Sequence, residues 1–70
     1  MNDKLEIVLN GKPFFLDKAA SLTQLAETLA LNGTRYAIEV NQEIVPRSQH
    51  ESFKLSDADV VEVVQAIGGG

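Results

Sequence analysis

The sequence predicts an α+β domain in which one helix packs across a mixed sheet of four to five strands. Three observations predict this class. Several short segments alternate between apolar and polar residues, one segment carries apolar residues at helical spacing, and 70 residues leave room for a single domain. A hairpin followed by one helix and further strands forms two layers around one core.

The N-terminal segment is typical of a β-hairpin. Residues 4–9 alternate between apolar and polar side chains, as in a half-buried strand. The pair Asn10-Gly11 follows, and these residues tolerate the positive φ angles of a tight turn. Residues 12–16 form the returning strand, and Pro13, which lacks an N–H, favours an edge position for it.

A single helix follows the hairpin. Ser21 and Gln24 fit a capping box, in which each side chain satisfies a free backbone N–H of the first turn. Asn32-Gly33 supplies a left-handed stop. One face of the helix carries the apolar residues Leu22, Leu25, Ala26 and Leu29.

The second half of the chain reads as three further strands. They cover residues 36–40, residues 44–45 and residues 60–64, and the last, apolar on nearly both faces, is expected at the centre of the sheet. Turns at 41–43 and 56–59 and a polar loop at 47–52 connect them. The predicted core consists of Leu5, Ile7, Leu9, Leu22, Leu25, Leu29, Ile38, Val40, Leu55, Val61 and Val63.

Composition excludes several classes of function. The net charge is −4 and the six basic residues are scattered, which argues against nucleic acid as a partner. The sequence has no cysteine and one histidine, so disulfides, thiolate zinc sites and imidazole clusters are excluded. No apolar run approaches the ~20 residues of a membrane span, and the N-terminus is not a signal peptide. We expect a soluble, cytoplasmic monomer that binds no membrane.

No catalytic constellation is evident, and the chain is predicted not to be an enzyme. We expect His50, between Gln49 and Glu51 in a polar loop, to be exposed to solvent. Ser21 is better explained as a helix cap than as a nucleophile. The acidic residues near turns or on polar faces are expected to be solvated: Glu39, Glu43, Asp57, Asp59 and Glu62. Of these, Asp57 and Asp59 are expected to stabilise a turn through their side chains.

The chain ends on Gly68, Gly69 and Gly70, directly after the last strand. Three extended residues reach about 10 Å, and without Cβ atoms they can pass through a narrow slot. The C-terminal carboxylate is ionised at neutral pH. Attack on the α-phosphate of ATP would convert it into an acyl-adenylate, from which a sulfur nucleophile could form a thiocarboxylate. We expect a domain at residues 1–67 and a flexible tail at residues 68–70, although an inert, frayed end is the alternative.

Residues 37–48, AIEVNQEIVPRS, together with the last strand and the glycine end, resemble the ThiS family of sulfur carriers of thiamin thiazole synthesis. The resemblance implies a ubiquitin-like β-grasp fold. It implies that Gly70 is adenylated and converted to a thiocarboxylate, with Gly68 and Gly69 as a flexible arm that enters the partner. Ala58 departs from the glycine usual in the turn before the last strand, and would be strained if that turn needs positive φ.

The same resemblance implies the partners. These are an E1-like adenylating enzyme (ThiF-like), a thiazole synthase (ThiG-like) and a sulfurtransferase or cysteine desulfurase as the sulfur source. No cofactor is expected on this chain, because ATP and metal belong to the activating partner. A MoaD-like carrier for molybdopterin synthesis, a modifier attached to lysines and a ubiquitin-like binding module with an inert tail remain alternatives.

An apolar patch on the exposed sheet face near the tail is the expected docking surface for these partners. Its candidate residues are Ile44, Val45, Phe53 and Ile67. Two roles are equally expected for Arg47: a contact with a partner, or an anchor for its own loop. Substituting the apolar candidates with charged residues distinguishes a surface role, in which the fold survives, from a core role, in which it does not.

Overall fold

The computed structural model describes residues 4–66, and it confirms an α+β architecture with a single α-helix in this range. The helix α1 (Leu22–Thr28) follows a hairpin, and three strands come after it. A short 3₁₀ helix, Arg47–Gln49, occupies the start of the predicted polar loop. The strands are β1 (Lys4–Leu9), β2 (Lys12–Asp17), β3 (Tyr36–Val40), β4 (Glu43–Val45) and β5 (Val60–Gln65).

The five strands form one mixed sheet in the order β2-β1-β5-β3-β4. β5 pairs in parallel with β1 and antiparallel with β3, so the last strand lies at the centre of the sheet, as predicted. β2 is an edge strand, in agreement with Pro13. Two-residue turns with positive φ close both hairpins, at Asn10-Gly11 (50° and 83°) and at Asn41-Gln42 (51° and 73°).

The predicted capping box is present at the start of α1. The Gln24 N–H donates to Ser21 Oγ at 3.1 Å, and the Ser21 N–H donates to Gln24 Oε1 at 2.8 Å. Ser21 is buried in this role. The cap explains Ser21 fully, because both oxygens satisfy N–H groups that lack helical partners.

The predicted end of the helix was wrong by one turn. α1 ends at Thr28, and Ala30, not Asn32-Gly33, adopts the left-handed conformation that stops it, with φ 58°. The Ala30 N–H donates to Glu27 O at 3.0 Å and the Leu31 N–H to Ala26 O at 2.9 Å, which is a Schellman motif. Leu31 is buried after the stop, so packing of this leucine draws the chain back before Gly33 is reached.

The core lies between α1 and one face of the sheet. Eight of the predicted core residues are buried, whereas Leu9, Leu29 and Val63 are half-buried at its margin. The predicted core left out Ala26 of α1 and several buried residues in loops and edge strands: Leu16, Ala20, Leu31, Val45 and His50. In residues 4–66 no helix is long and apolar enough to cross a bilayer.

Candidate functional site

The central strand leads directly towards the glycine end. Tyr36, the first residue of β3, pairs with Gln65, and the Ala66 N–H donates to Arg35 O at 2.9 Å. Ile67 and the three glycines lie outside the described residues, so the roles predicted for Ile67, Gly68, Gly69 and Gly70 stay predictions. The described part of the chain therefore ends beside the N-terminal end of β3.

The face of the sheet opposite α1 is open and carries apolar side chains. Ile44 is 67% exposed and Val64 is 62% exposed. Ala37 pairs with Val64, and Ile44 pairs with Glu39, the next residue of β3 on the same face. We call Ile44, Ala37 and Val64 the tail-end patch, because Val64 lies two residues before the end of the described chain.

Two of the predicted docking residues belong to the core side of the molecule. Val45 is buried, with 7% of its surface exposed, because it pairs with Ile38 on the face that packs against α1. Phe53 is half-buried and packs against the same core. The structure corrects the prediction for Val45, which is too enclosed for a partner contact, and leaves Ile44 as the exposed member of that strand.

Arg47 lies on an aromatic stack. Its guanidinium carbon is 4.2 Å from the centroid of the Tyr36 ring. The other neighbour of that ring is His50, with 6.0 Å between the centroids and 28° between the planes. Tyr36 thus holds a cation over its ring, an attraction worth about 0.5–1 kcal/mol at exposed sites. The loop-anchor role of Arg47 is present, and its side chain remains exposed.

The prediction that His50 is exposed was wrong, since 4% of its surface is accessible. Its Nε2 lies 2.9 Å from Val45 O, and since a carbonyl only accepts, Nε2 carries the proton. Nδ1 has no hydrogen-bond partner among the described residues. The flanking residues, Gln49 and Glu51, are exposed, so local polarity gave no sign that this ring turns inward.

The acidic residues of the 56–59 turn are structural, as predicted. Asp57 Oδ1 accepts from the Glu6 N–H at 3.0 Å, and Asp59 Oδ2 accepts from the Ser56 N–H at 2.8 Å. Asp59 Oδ1 also accepts from Asn41 Nδ2 at 3.0 Å. Across residues 4–66 no group of three or more His, Cys, Asp or Glu side chains could hold a metal ion.

Two asparagines brace β5, a role that the sequence analysis missed. Asn41 Oδ1 accepts from the Val60 N–H at 2.9 Å, and Asn10 Oδ1 accepts from the Val63 N–H at 2.8 Å. The β1–β5 ladder has only two residue pairs, because β1 turns away at Asn10. The Asn10 side chain replaces the lost ladder partner of Val63, so the strand that leads to the glycines stays fixed.

The fold defines a class of protein: a small ubiquitin-like β-grasp domain, here with exposed apolar side chains on the open face of its sheet. The crystal structure of thiamine biosynthesis protein ThiS from Geobacter metallireducens superimposes with a TM-score of 0.77 at 29% identity, over 94% of this chain and 100% of that one. This likeness confirms the predicted β-grasp fold.

The chain belongs to the ThiS family, whose model matches residues 3–70. It is 36% identical to the uncharacterized protein ycf40 of Porphyra purpurea over 100% of this chain and 99% of that protein. It is 32% identical to the sulfur carrier protein ThiS of Bacillus subtilis, over 89% and 96% of the two chains. A thiazole synthase of Paramagnetospirillum magneticum is 32% identical over 94% of this chain, which spans 20% of that protein.

Proposed function

We propose that this chain is a sulfur carrier for thiamin thiazole synthesis and that the carboxylate of Gly70 is its reacting group. The family match supports the proposal, since it runs through the glycine end to residue 70. The structural observation that carries it is the position of β5. The central strand, fixed on both sides, is the last element before the glycines.

The reaction needs activation because a carboxylate oxygen is a poor leaving group. The Gly70 carboxylate attacks the α-phosphorus of ATP, pyrophosphate leaves, and an acyl-adenylate forms. A sulfide-level nucleophile then attacks the carbonyl carbon, and AMP leaves with the oxygen that joined it to the chain. The product is a thiocarboxylate in which one oxygen has been exchanged for sulfur. ATP, its metal and the groups that bind them belong to the adenylating partner.

The partner must receive the end of the chain in a narrow site. Four residues follow Ala66, and a fully extended segment of this length spans at most about 14 Å. Gly68 and Gly69 present no side chains to the walls of such a site, while β5 fixes the position of the residue before Ala66. The globular domain then provides the surface that partners bind.

The tail-end patch is the surface that we propose partners bind. A partner that holds the end of the chain must lie against the residues around its base. Val64 and Ala37 are exposed apolar residues there, and Ile44 extends the patch along the open face to β4. Ile44→Asp should weaken binding to the adenylating enzyme while the far-UV circular dichroism spectrum stays unchanged. Val45→Asp, the adjacent core position, should unfold the domain. Equal unfolding by both variants would show that Ile44 is a core residue.

The thiazole synthase relative supports a thiazole synthase as the acceptor of the sulfur. In that protein a segment similar to this chain is part of a much longer polypeptide. A covalent link gives two modules a high effective concentration, which benefits a carrier and the enzyme that it serves. We propose a separate thiazole synthase as the partner of this chain. We propose a sulfurtransferase or cysteine desulfurase as the sulfur source, with two thiols reducing its persulfide to sulfide as they form a disulfide.

Intact-mass spectrometry tests the proposal. The purified chain is incubated with ATP, Mg²⁺, a ThiF-like enzyme and sulfide, with the Bacillus subtilis carrier as a positive control. We expect a mass increase equal to the difference between sulfur and oxygen, located at Gly70 by fragmentation, and none in a variant that lacks Gly69 and Gly70. An unchanged mass while the control carrier is converted would refute the proposal. Thiazole formation by added thiazole synthase then separates this role from molybdopterin synthesis.

A further inference from the structure

The only two arginines of the sequence lie beside the base of the glycine end. Arg35 is directly opposite Ala66, since the Ala66 N–H donates to its carbonyl. Arg47 lies over Tyr36, which pairs with Gln65. Neighbouring strands are spaced about 4.8 Å apart, so the Arg35 backbone lies about 5 Å from Ala66, and the Tyr36 ring under Arg47 belongs to the strand next to β5.

The position of both charges contrasts with the rest of the molecule. The net charge is −4. Of the four lysines, Lys4 and Lys18 lie at the other end of the sheet, where β5 begins and β2 ends, and Lys12 lies at the β1–β2 turn, two strands away from β5. Both arginine side chains are exposed, and neither has an ion-pair partner within residues 4–66. Arg47 contacts the Tyr36 ring, but within residues 4–66 no carboxylate neutralises either arginine, so both charges are available to a partner.

Arg47 is also held ready for a ligand. The guanidinium carbon lies over the Tyr36 ring, 4.2 Å from its centroid, and that ring stacks on the buried His50, whose Nε2 donates to Val45 O. The N–H groups of this guanidinium donate no hydrogen bond within residues 4–66, and such groups match a carboxylate in bidentate geometry. Holding the side chain in advance reduces the entropy lost on binding.

We propose that Arg35 and Arg47 form a cationic collar that binds acidic side chains at the mouth of the adenylating enzyme's active site. This inference rests on the proposed function and adds the chemistry of the partner surface. The length of the arginine side chains decides whether they can contact the bound nucleotide or only the entrance of the active site. If the last four residues enter in extended form, the reacting carboxylate lies up to about 14 Å from Ala66, beyond the reach of a collar arginine. The collar therefore binds protein carboxylates and does not contact the phosphates.

ATP–pyrophosphate exchange catalysed by a ThiF-like enzyme tests this, because exchange depends on reversible adenylation of the carrier. The variants are Arg35→Gln, Arg47→Gln and their combination, with Lys18→Gln as the control that removes the same charge far from the collar. We expect each arginine variant to raise the KM for the carrier about three- to tenfold, with kcat within twofold of the wild type. Arg47→Lys should recover only part of the loss, since an ammonium cannot form the bidentate pair.

Salt gives a second readout. The KM of the wild-type carrier should rise with ionic strength, and that of the double variant should rise much less, because exposed charge pairs are screened. Circular dichroism checks the fold, and Arg35→Gln decides the case if Arg47→Gln is unfolded. Equal KM values for wild type and double variant, in reactions that turn over, would overturn the collar and leave the proposed function intact. A loss confined to kcat would overturn it too, by placing the arginines at the reacting group. Absence of exchange with the wild-type chain, while a control carrier reacts, would refute the proposed function itself.

Discussion

Ala58 occupies a backbone conformation that favours glycine, and replacing it with glycine should stabilise the domain. Its φ is 70°, in the left-handed region. The turn is fixed by the Ala58 N–H, which donates to Glu6 O at 2.8 Å, and by the Asp59 N–H, which donates to Ser56 O at 3.1 Å. These bonds hold the backbone there whatever the side chain, so the alanine cannot relax into a more favourable region.

The expected gain follows from two opposing effects. A non-glycine residue in the left-handed region costs about 1–2 kcal/mol, which glycine does not pay. The greater freedom of glycine in the unfolded chain offsets about 0.4–1 kcal/mol of this. Ala58→Gly should therefore raise the free energy of unfolding by about 0.5–1 kcal/mol. In a domain of this size that corresponds to a rise in Tm of about 2–8 °C.

Urea unfolding followed by circular dichroism measures the change. The midpoint should move to higher urea with an unaltered m value, since the surface exposed on unfolding stays the same. Ala37→Gly is the matched control: the same chemical change in β3, at a residue without positive φ, should lower stability by about 0.5–1 kcal/mol. An Ala58→Gly midpoint at or below that of the wild type would refute the strain argument.

Three further outcomes follow from the same structure. Ala30→Gly, at the left-handed helix stop with φ 58°, should stabilise by a similar amount in urea unfolding. Glu62→Lys should stabilise by about 0.2–1 kcal/mol, because Glu62 pairs directly with Glu39 and like charges in that position repel; Glu62→Gln should lie between. The hydrogen bond from Lys4 Nζ, 2.7 Å from Asp17 Oδ1, and its charge lower the pKa of Asp17 below 3.8, so NMR titration should show a midpoint below that value which Lys4→Gln raises. Because the folded-state pKa is lowered, the pair's contribution to stability is present above pH 3.8 and is lost as the pH falls through the lowered pKa.

Features set by neighbouring residues could be predicted from the sequence. The Asn10-Gly11 turn, the capping box at Ser21 and the edge position of Pro13 depend on contacts within a few residues, and the structure confirms all three. The strain at Ala58 could also be anticipated, because its place in the turn before the last strand was compared with the glycine usual in the family. Local chemistry is sufficient for such features because few alternative conformations compete.

Features set by distant parts of the chain could not be predicted in this way. His50 is buried because the 3₁₀ helix turns it under Tyr36, and nothing in the polar residues around it indicates that partner. The helix ends early because Leu31 finds space in the core. Val45 and Ile44 are adjacent apolar residues, and only the register with β3 decides which of them faces the core.

The candidate site also depends on distant parts of the chain, because the arrangement of helix and sheet decides which face stays exposed to partners. A five-stranded sheet has two faces, and the single seven-residue helix of residues 4–66 covers one of them. The other face has to meet water or a partner, so its residues are released from packing and can vary with the partner. Apolar side chains on this face contribute little to the stability of the fold, because they are not packed. Four large apolar side chains are nevertheless exposed: Phe15, Ile44, Val60 and Val64. β5 lies at the centre of this open face and is followed, after Ala66, by Ile67 and the three glycines, so the proposed docking surface and the proposed reacting end are close in the sequence.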